Sequence, residues 1–316
     1  MQKNIMEEKN KKICKICGET FSSDKSLHIH IARKHKIILA EYYTIYYPKY
    51  DLYNKEPIPF IDKQQYNNTF FINRNNLIKW SEQAPYEEVK EYLINQLNYR
   101  IQSKKLERAP CHLDIETKQM PPIDLYRKFF KGYTNACKKL EIEPLFSRKI
   151  MKNFFNPNNS LEEIKILIDS REQLPLSFKN SAKMKLDFGD YTAAGKDYDY
   201  TYIDRKTEGD FKGTMTKGFE RFKREISRAK EFNSYIFVLV ENTVDQINSN
   251  NESSLSKTKM PFVWNRMRSL MHKYPGVCQF IFTGSRESSM DLVPRILNYG
   301  KKLWDVDVQY FIDKKL

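Results

Sequence analysis

The sequence predicts an α/β fold: a mixed sheet flanked by helices over residues 160–316, preceded by a helical segment over 37–158 and a small ββα module over 1–36. Three observations carry this. Short apolar runs alternate with amphipathic stretches in the second half. An amphipathic, basic stretch spans Ile123–Leu140. Cysteines and histidines sit at a fixed spacing in the first 36 residues.

The strands and helices read in order. Ile164–Ile168 is a short buried strand. Lys183–Asp187 and Tyr200–Lys206 alternate like half-exposed strands. Gly218–Phe232 is helical, with Phe219, Phe222, Ile226 and Ala229 on one face. Tyr235–Val240 is a fully buried strand, and Asp245–Lys259, polar and rich in Asn and Ser, is expected to be a mobile loop. Val263–Tyr274 is helical, Gln279–Phe282 a strand, Ser288–Leu303 a helix, and Trp304–Ile312 strand-like. Asn156–Ser160 is a turn-rich break, and Ser160 with Glu163 has the form of a capping box.

Charge narrows the partners. Lys and Arg exceed Asp and Glu by 14, and the pI is near 9.3, which favours an acidic polymer such as nucleic acid. The longest clean apolar run, Tyr235–Val240, is too short to cross about 30 Å of hydrocarbon, so no membrane partner is expected. The N-terminus has no apolar signal core and the cysteine count is odd. Both point to a soluble, intracellular, reducing setting. Cys278 lies in an apolar run and reads as a core residue.

Two residues separate Cys14 from Cys17, twelve separate Cys17 from His30, and four separate His30 from His35. This is the spacing of a two-Cys, two-His zinc finger, with Phe21 and Leu27 as its core. A module this short has no sufficient core of its own, and structural Zn²⁺ supplies its folding energy. His28 is off the spacing and reads as exposed. The finger resembles the DNA-reading type. Its helix would present Ser23, Lys25, Ser26 and Ile29, with Lys25, Arg33, Lys34 and Lys36 as DNA contacts. One finger covers about 3 base pairs, so a zinc-held protein-contact module stands as the alternative.

In the second half, Asp190 precedes Asp204-Arg-Lys206 by one strand-and-turn length. Alternation puts Asp204 and Lys206 on the same face of a strand, within reach of Asp190 on a neighbour. Two carboxylates and an ammonium suit Mg²⁺ or Mn²⁺ as hard-cation partners and phosphodiester hydrolysis as the reaction. A surface ion-pair network accounts for the spacing equally well.

Flanking residues add more. Asp169-Ser-Arg-Glu172, Gly189-Asp-Tyr191, Asp204-Arg-Lys206 with Asp210, Arg221 in a helix and Glu241 ending the next strand come in an order that resembles the XPF/Mus-type nuclease domain. That domain belongs to the restriction-endonuclease-like PD-(D/E)xK superfamily. The similarity covers about residues 163–316. It implies a metal-dependent DNA endonuclease leaving 5′-phosphate and 3′-hydroxyl ends. Asp190 and Asp204 would be Mg²⁺ or Mn²⁺ ligands and Lys206 the catalytic lysine. Asp169, Glu172 and Asp210 would complete the acidic site. Arg171, Arg205 and Arg221 would shape it or grip phosphate; an ion pair of Arg221 with Glu225 is the alternative. The chain departs from the pattern at Asp204, where a Glu is usual, and at Glu225, where a Gln is frequent. No tandem helix-hairpin-helix segment is evident. Such domains commonly pair subunits, so a homodimer is an expected partner besides DNA.

Ala40–Tyr50 is rich in Tyr, and with the finger it loosely resembles the N-terminal part of phage homing or DNA endonucleases. The rings would stack on bases or pack internally. In Ile123–Leu140, Tyr126, Phe129, Phe130, Tyr133 and Cys137 face one way. Arg127, Lys128, Lys131, Lys138 and Lys139 face the other, as a DNA-backbone surface or a solvated face. A non-catalytic DNA-binding scaffold and an RNA-processing nuclease are the rival functions.

Overall fold

The computed structural model describes residues 11–149, 154, 164–254 and 258–314. The chain forms two compact units, divided between Val89 and Lys90. Asn156–Ser160 and the Ser160/Glu163 pair fall outside the described residues.

In the first unit, β1 (Lys12–Ile13) pairs antiparallel with β2 (Thr20–Phe21). The turn between them carries both cysteines and closes at Gly18 (φ +77°), whose N–H donates to Cys14 O at 2.8 Å. Helix α1 (Asp24–His30) starts at Ser23, whose hydroxyl accepts from Ser26 N. It runs into a π turn, Ile31–His35. The remaining helices are α2 (Leu39–Tyr46), α3 (Lys63–Asn68) and α4 (Arg74–Gln83). Leu27 and Ile31 pack with Cys14, Tyr42, Tyr43, Ile58 and Tyr66 in one apolar cluster. The finger therefore shares a core with the segment that follows it. Tyr42 and Tyr43 are packing residues, while Tyr46, Tyr47 and Tyr50 are exposed. His28 is a correction: it is half-buried and hydrogen-bonds Tyr43 Oη at 3.1 Å.

Helix α5 (Tyr86–Lys104) leads into the second unit. There α6 (His112–Thr117), α7 (Ile123–Phe130) and α8 (Tyr133–Lys138) precede the sheet. The expected continuous amphipathic stretch over 123–140 is broken. Lys131 (φ +57°) and Gly132 (φ +142°) take conformations no helix can hold. The apolar face survives the break: Tyr126, Phe129, Tyr133 and Cys137 are buried, and Arg127, Lys128, Lys131, Lys138 and Lys139 are exposed.

The sheet has strands β3 (Ile166–Asp169), β4 (Ser181–Met184), β5 (Tyr191–Ala193), β6 (Thr201–Lys206), β7 (Tyr235–Val240) and β8 (Cys278–Phe282). Their spatial order is β4-β3-β5-β6-β7-β8. β5 is antiparallel to both its neighbours, and the other pairs are parallel. Helices α9 (Glu208–Met215) and α10 (Phe219–Glu231) link β6 to β7. Helices α11 (Val244–Ser253) and α12 (Met260–Lys273) link β7 to β8, and α13 (Arg286–Tyr299) and α14 (Val308–Lys314) follow. This is the α/β class the sequence predicts.

Strand β7 shows why the sheet is mixed into a sandwich of helices. Ile236, Val238 and Val240 join a core with Phe222, Ile226 and Met267. Tyr235, Phe237 and Leu239 join a second core with Val293, Ile296 and Phe311. Side chains alternate faces, and both faces are covered, so the whole strand is apolar.

Two expectations are overturned. Val244–Ser253 is a helix, because Thr243 and Gln246 form a reciprocal capping box and Ile247 is fully buried. Trp304–Ile312 is no strand: Val308–Lys314 is helical, with Val308, Gln309 and Phe311 buried. Gln309 closes the edge of β8 by accepting from Phe282 N at 2.6 Å and donating to its carbonyl at 3.2 Å. One side-chain amide takes the place of a further strand.

The 90–149 segment is tied to the sheet layer by buried charge. Asp114, fully buried, meets Arg100 at 3.4 Å, His272 at 3.0 Å and Arg268 at 3.9 Å. Arg148 lies between the rings of Tyr133 and Tyr310 and pairs with Asp307 at 3.3 Å. Among the described residues no helix is long and apolar enough to cross a membrane.

Candidate active site

The site begins at a turn. Gly189 has φ +55°, and a Cβ there would lie 2.6 Å from Ile203 O. Only glycine lets the chain pass so close to β6. Asp190 follows, its N–H donating to Ile203 O at 2.7 Å and its Oδ2 accepting from Arg205 N at 2.7 Å. Register thus sets Asp190 beside Asp204. Two residues on, Lys206 returns to the face of Asp204, and its Nζ lies 2.8 Å from Oδ2 and 3.0 Å from Oδ1. The Phe222 ring on α10 lies 5.1 Å from the same ammonium.

Burial and like charge dominate here. Burial raises the Asp190 carboxyl well above its usual range, and the Asp204 and Glu172 charges add to this; Arg205 N and Lys206 offset only part. Burial works against the Lys206 ammonium, but Asp204, Asp190 and Glu225 outweigh it and raise its pKa. The Glu225 carboxyl is also raised, by burial first and by Asp204 second. Glu225 sits on α10 between Phe222 and Arg228, three residues from each. Arg228 donates to Asp187 O at 2.7 Å and lies 4.7 Å from the Phe188 ring, which seats α10 against the turn before Asp190.

The other acids offered by the sequence have different partners. Asp169 accepts from Arg171 N (2.7 Å), Arg171 Nε (2.8 Å) and Nη2 (2.7 Å), and from Leu186 N (2.9 Å). Arg171's hydrogen bonds, first among these causes, hold it down to about 2. Glu172 accepts from Arg205 at 3.1 Å. Arg205 also pairs with Glu241 at 2.9 Å and donates to Leu174 O at 3.0 Å, which makes it a buried brace. Arg286 reaches the same carbonyl and Glu241. Asp210 accepts from Thr207 Oγ1 at 2.7 Å, and Thr207 in turn caps α9 by accepting from Asp210 N at 3.2 Å. Arg221 is exposed, and among the described residues no ion pair joins it to Glu225.

Glu225 and Arg286 are the residues that sequence reasoning undervalued. A signal for Glu225 existed. It is a charge beside an apolar helical stripe (Phe222, Ile226, Ala229), where a purely solvent-facing acid is out of place.

The donor set fits a hard divalent cation. Asp190 and Asp204 are two half- to fully buried carboxylates compensated by one ammonium, and a cation relieves their repulsion.

The first unit holds a different metal site. Cys14, Cys17, His30 and His35 bring their ligand atoms within 4.8 Å of one another, the one such group of three or more among the described residues. Cys14 Sγ–His35 Nε2 is 3.5 Å, Cys17 Sγ–His30 Nε2 is 3.3 Å, and the two Nε2 atoms are 3.1 Å apart. A tetrahedral zinc site has ligand–ligand edges of roughly 3.3–3.8 Å, so the set fits Zn²⁺ once the two imidazoles part by a few tenths of an ångström. In an α-helix, residues five apart point about 140° apart. The π turn is wider and brings His30 and His35 together. Glu19 lies 3.2 Å from His30 Nδ1, the kind of partner that fixes a ligating ring. Lys25 and Arg33 are exposed, Lys34 pairs with Glu19, and Ser23 and Ser26 hydrogen-bond each other.

No family model matches the chain, and no curated protein does. Among solved structures, XPF from Aeropyrum pernix aligns with a TM-score of 0.32 at 18% identity, over 44% of this chain and 68% of that one. XPF from Aeropyrum pernix in complex with DNA aligns with a TM-score of 0.33 at 20% identity, over 43% of this chain and 64% of that one, under two thirds of its length. Both are partial likenesses of fold, and they assign no residue a role.

Proposed function

We propose that this protein is a metal-dependent endonuclease that hydrolyses phosphodiester bonds in DNA. The observation that carries the proposal is the buried Asp190–Asp204 pair with Lys206 seated against it. Asp190 and Asp204 would hold Mg²⁺ or Mn²⁺, which would supply polarisation of a phosphoryl oxygen. Lys206 donates to the oxygen on which negative charge grows. Arg205 holds the chain at the Asp190 end of β6 through Glu172 and Glu241. The excess of basic residues, including Lys25, Arg33 and the exposed cations of α7 and α8, attracts the phosphate backbone.

The test is a substrate panel under Mg²⁺ and under EDTA: supercoiled plasmid, duplex, fork, flap, four-way junction and single-stranded RNA. Cutting is expected with Mg²⁺ and none with EDTA. Lys206→Ala is expected to slow it about 10²-fold or more. Asp190→Asn is expected to abolish it while DNA affinity stays near wild type. Cutting by Asp190→Asn at the wild-type rate would falsify the ligand assignment. A non-catalytic DNA-binding scaffold is the second reading, favoured by the direct closure of Lys206 on Asp204. Its signature is tight, salt-sensitive DNA binding with no cutting in any lane.

A further inference from the structure

The acids that the sequence offers to complete the site each have a partner of their own, although Glu172 also adds its charge beside Asp190. Asp169 accepts from Arg171 and Leu186 N, Glu172 is bound to Arg205, and Asp210 accepts from Thr207, the N-cap of α9. A different carboxylate faces the Asp204–Lys206 pair. It comes from α10, across from the two strands.

We infer that Glu225 is the third acidic residue of the site and helps hold the divalent cation through a bound water. The inference rests on the proposed metal-dependent activity and adds a residue to it. The placement follows from the helix. Residues three apart share a helical face. Phe222, three before Glu225, lies under the Lys206 ammonium at 5.1 Å. Arg228, three after, is pinned to Asp187 O at 2.7 Å and to the Phe188 ring at 4.7 Å. Glu225 is held between these anchors, facing Asp204, Lys206 and the backbone of Gly189.

Its oxygens do not form a group with those of Asp190 and Asp204 within 4.8 Å, since among the described residues only the Cys/His set does so. Mg²⁺ ordinarily keeps several waters, and one of these would carry the link to Glu225. The charge count agrees. Three carboxylates against one ammonium leave two negative charges, which one divalent cation balances. Arg171 and Arg228 also lie within electrostatic reach of Glu225, but neither pairs with it directly: Arg171 is bound to Asp169, and Arg228 to Asp187 O. A neutral Gln at 225 would leave one negative charge and a weaker hold on the ion.

The experiment measures Mn²⁺ binding to the full chain, its finger first loaded with one equivalent of Zn²⁺, by the loss of the free Mn²⁺ electron paramagnetic resonance signal. Wild type, Glu225→Gln, Glu225→Asp and Glu220→Gln are compared; Glu220 is an exposed acid on the same helix. Loss of an outer partner of a metal site weakens affinity about 10- to 100-fold, and Glu225→Gln is expected in that range. Glu225→Asp should recover part of the loss, and Glu220→Gln should match wild type. Circular dichroism at the titration temperature separates loss of fold from loss of the site, with Glu225→Ala taking the place of a Gln variant that melts. Wild-type affinity in a folded Glu225→Gln or Glu225→Ala chain overturns the inference. Glu225-dependent Mn²⁺ binding without cutting sustains it and removes the nuclease. Cutting with unchanged affinity does the reverse.

Discussion

The two candidate metal sites are built by opposite routes. In the first unit the four ligands lie within 22 positions of sequence, on one turn and one helix end. Their geometry is local, and their spacing announces it. In the second unit Asp190, Asp204, Lys206 and Glu225 come from a turn, a strand and a helix. They meet because β5 and β6 pair in one register and α10 folds back over the sheet. Zinc held by the first site would add to the stability of a finger that also shares an apolar core with the tyrosines after it. The second is held by a large apolar core and tolerates buried like charges because that core fixes them. Ligands close in sequence need only a local turn to converge, whereas ligands far apart need the whole sheet to be in place first.

The largest effect that can break this comparison is removal of zinc. A zinc chelator is expected to unfold the finger at a cost on the order of 10 kcal/mol, while the melting transition of the Lys90–Leu316 unit persists. Limited proteolysis with peptide mapping reads both. If residues 11–36 stay protected without metal, the tyrosine cluster behind α1 is sufficient by itself.

Next in size is the buried charge cluster of the second unit. Asp114→Ala leaves Arg100, Arg268 and His272 facing no carboxylate. The expected cost is about 3–5 kcal/mol of unfolding free energy, read as a lower urea midpoint of that unit alone. A loss shared equally by the first unit would show that the two do not unfold independently.

Acid provides a gentler probe of the same residue. Burial favours the neutral Asp114 acid, but His272, Arg100 and Arg268 outweigh it and hold the carboxyl down to about 2. A depressed carboxyl stabilises the fold above its unfolded value near 3.8 and ceases to do so as pH falls through its folded value. Wild type should therefore lose about 2 kcal/mol more than Asp114→Asn between about pH 4 and pH 2. Parallel acid curves for the two proteins would place the acid sensitivity elsewhere.

The smallest effect sharpens the local side of the comparison. Thr243→Ala removes half of the capping box of α11 and should cost about 1 kcal/mol. Hydrogen exchange should quicken in the first turn of α11 and leave β7 unchanged. Spread of the effect into β7 would mean that α11 is a support of the sheet.

Much of the second unit is legible in sequence. The apolar run Tyr235–Val240 and the stripe on Phe219–Glu231 each fix an element, because burial on one face or two imposes a period; Thr201–Lys206 is a strand as expected, but Thr201 to Asp204 are buried on both faces, in place of the expected half-exposure. The failures have a common cause. Val244–Ser253 is polar and looked like a loop, yet its caps satisfy the backbone and Ile247 anchors it. Val308–Lys314 looked like a strand by its β-prone residues, and packing against α6 and β8 made it a helix. Local preference loses where tertiary burial decides.

The sequence by itself determined the ligands of the finger and the face shared by Asp204 and Lys206, because ligand spacing and strand alternation are properties of neighbouring residues. Only the tertiary structure decided which acids surround that face. Asp169, Glu172 and Asp210 hydrogen-bond Arg171, Arg205 and Thr207, and α10 carries Glu225 to the side of Asp204 and Lys206. A carboxylate takes the strongest hydrogen-bond or ion partner that the fold sets within its reach, and distance along the chain does not record that reach.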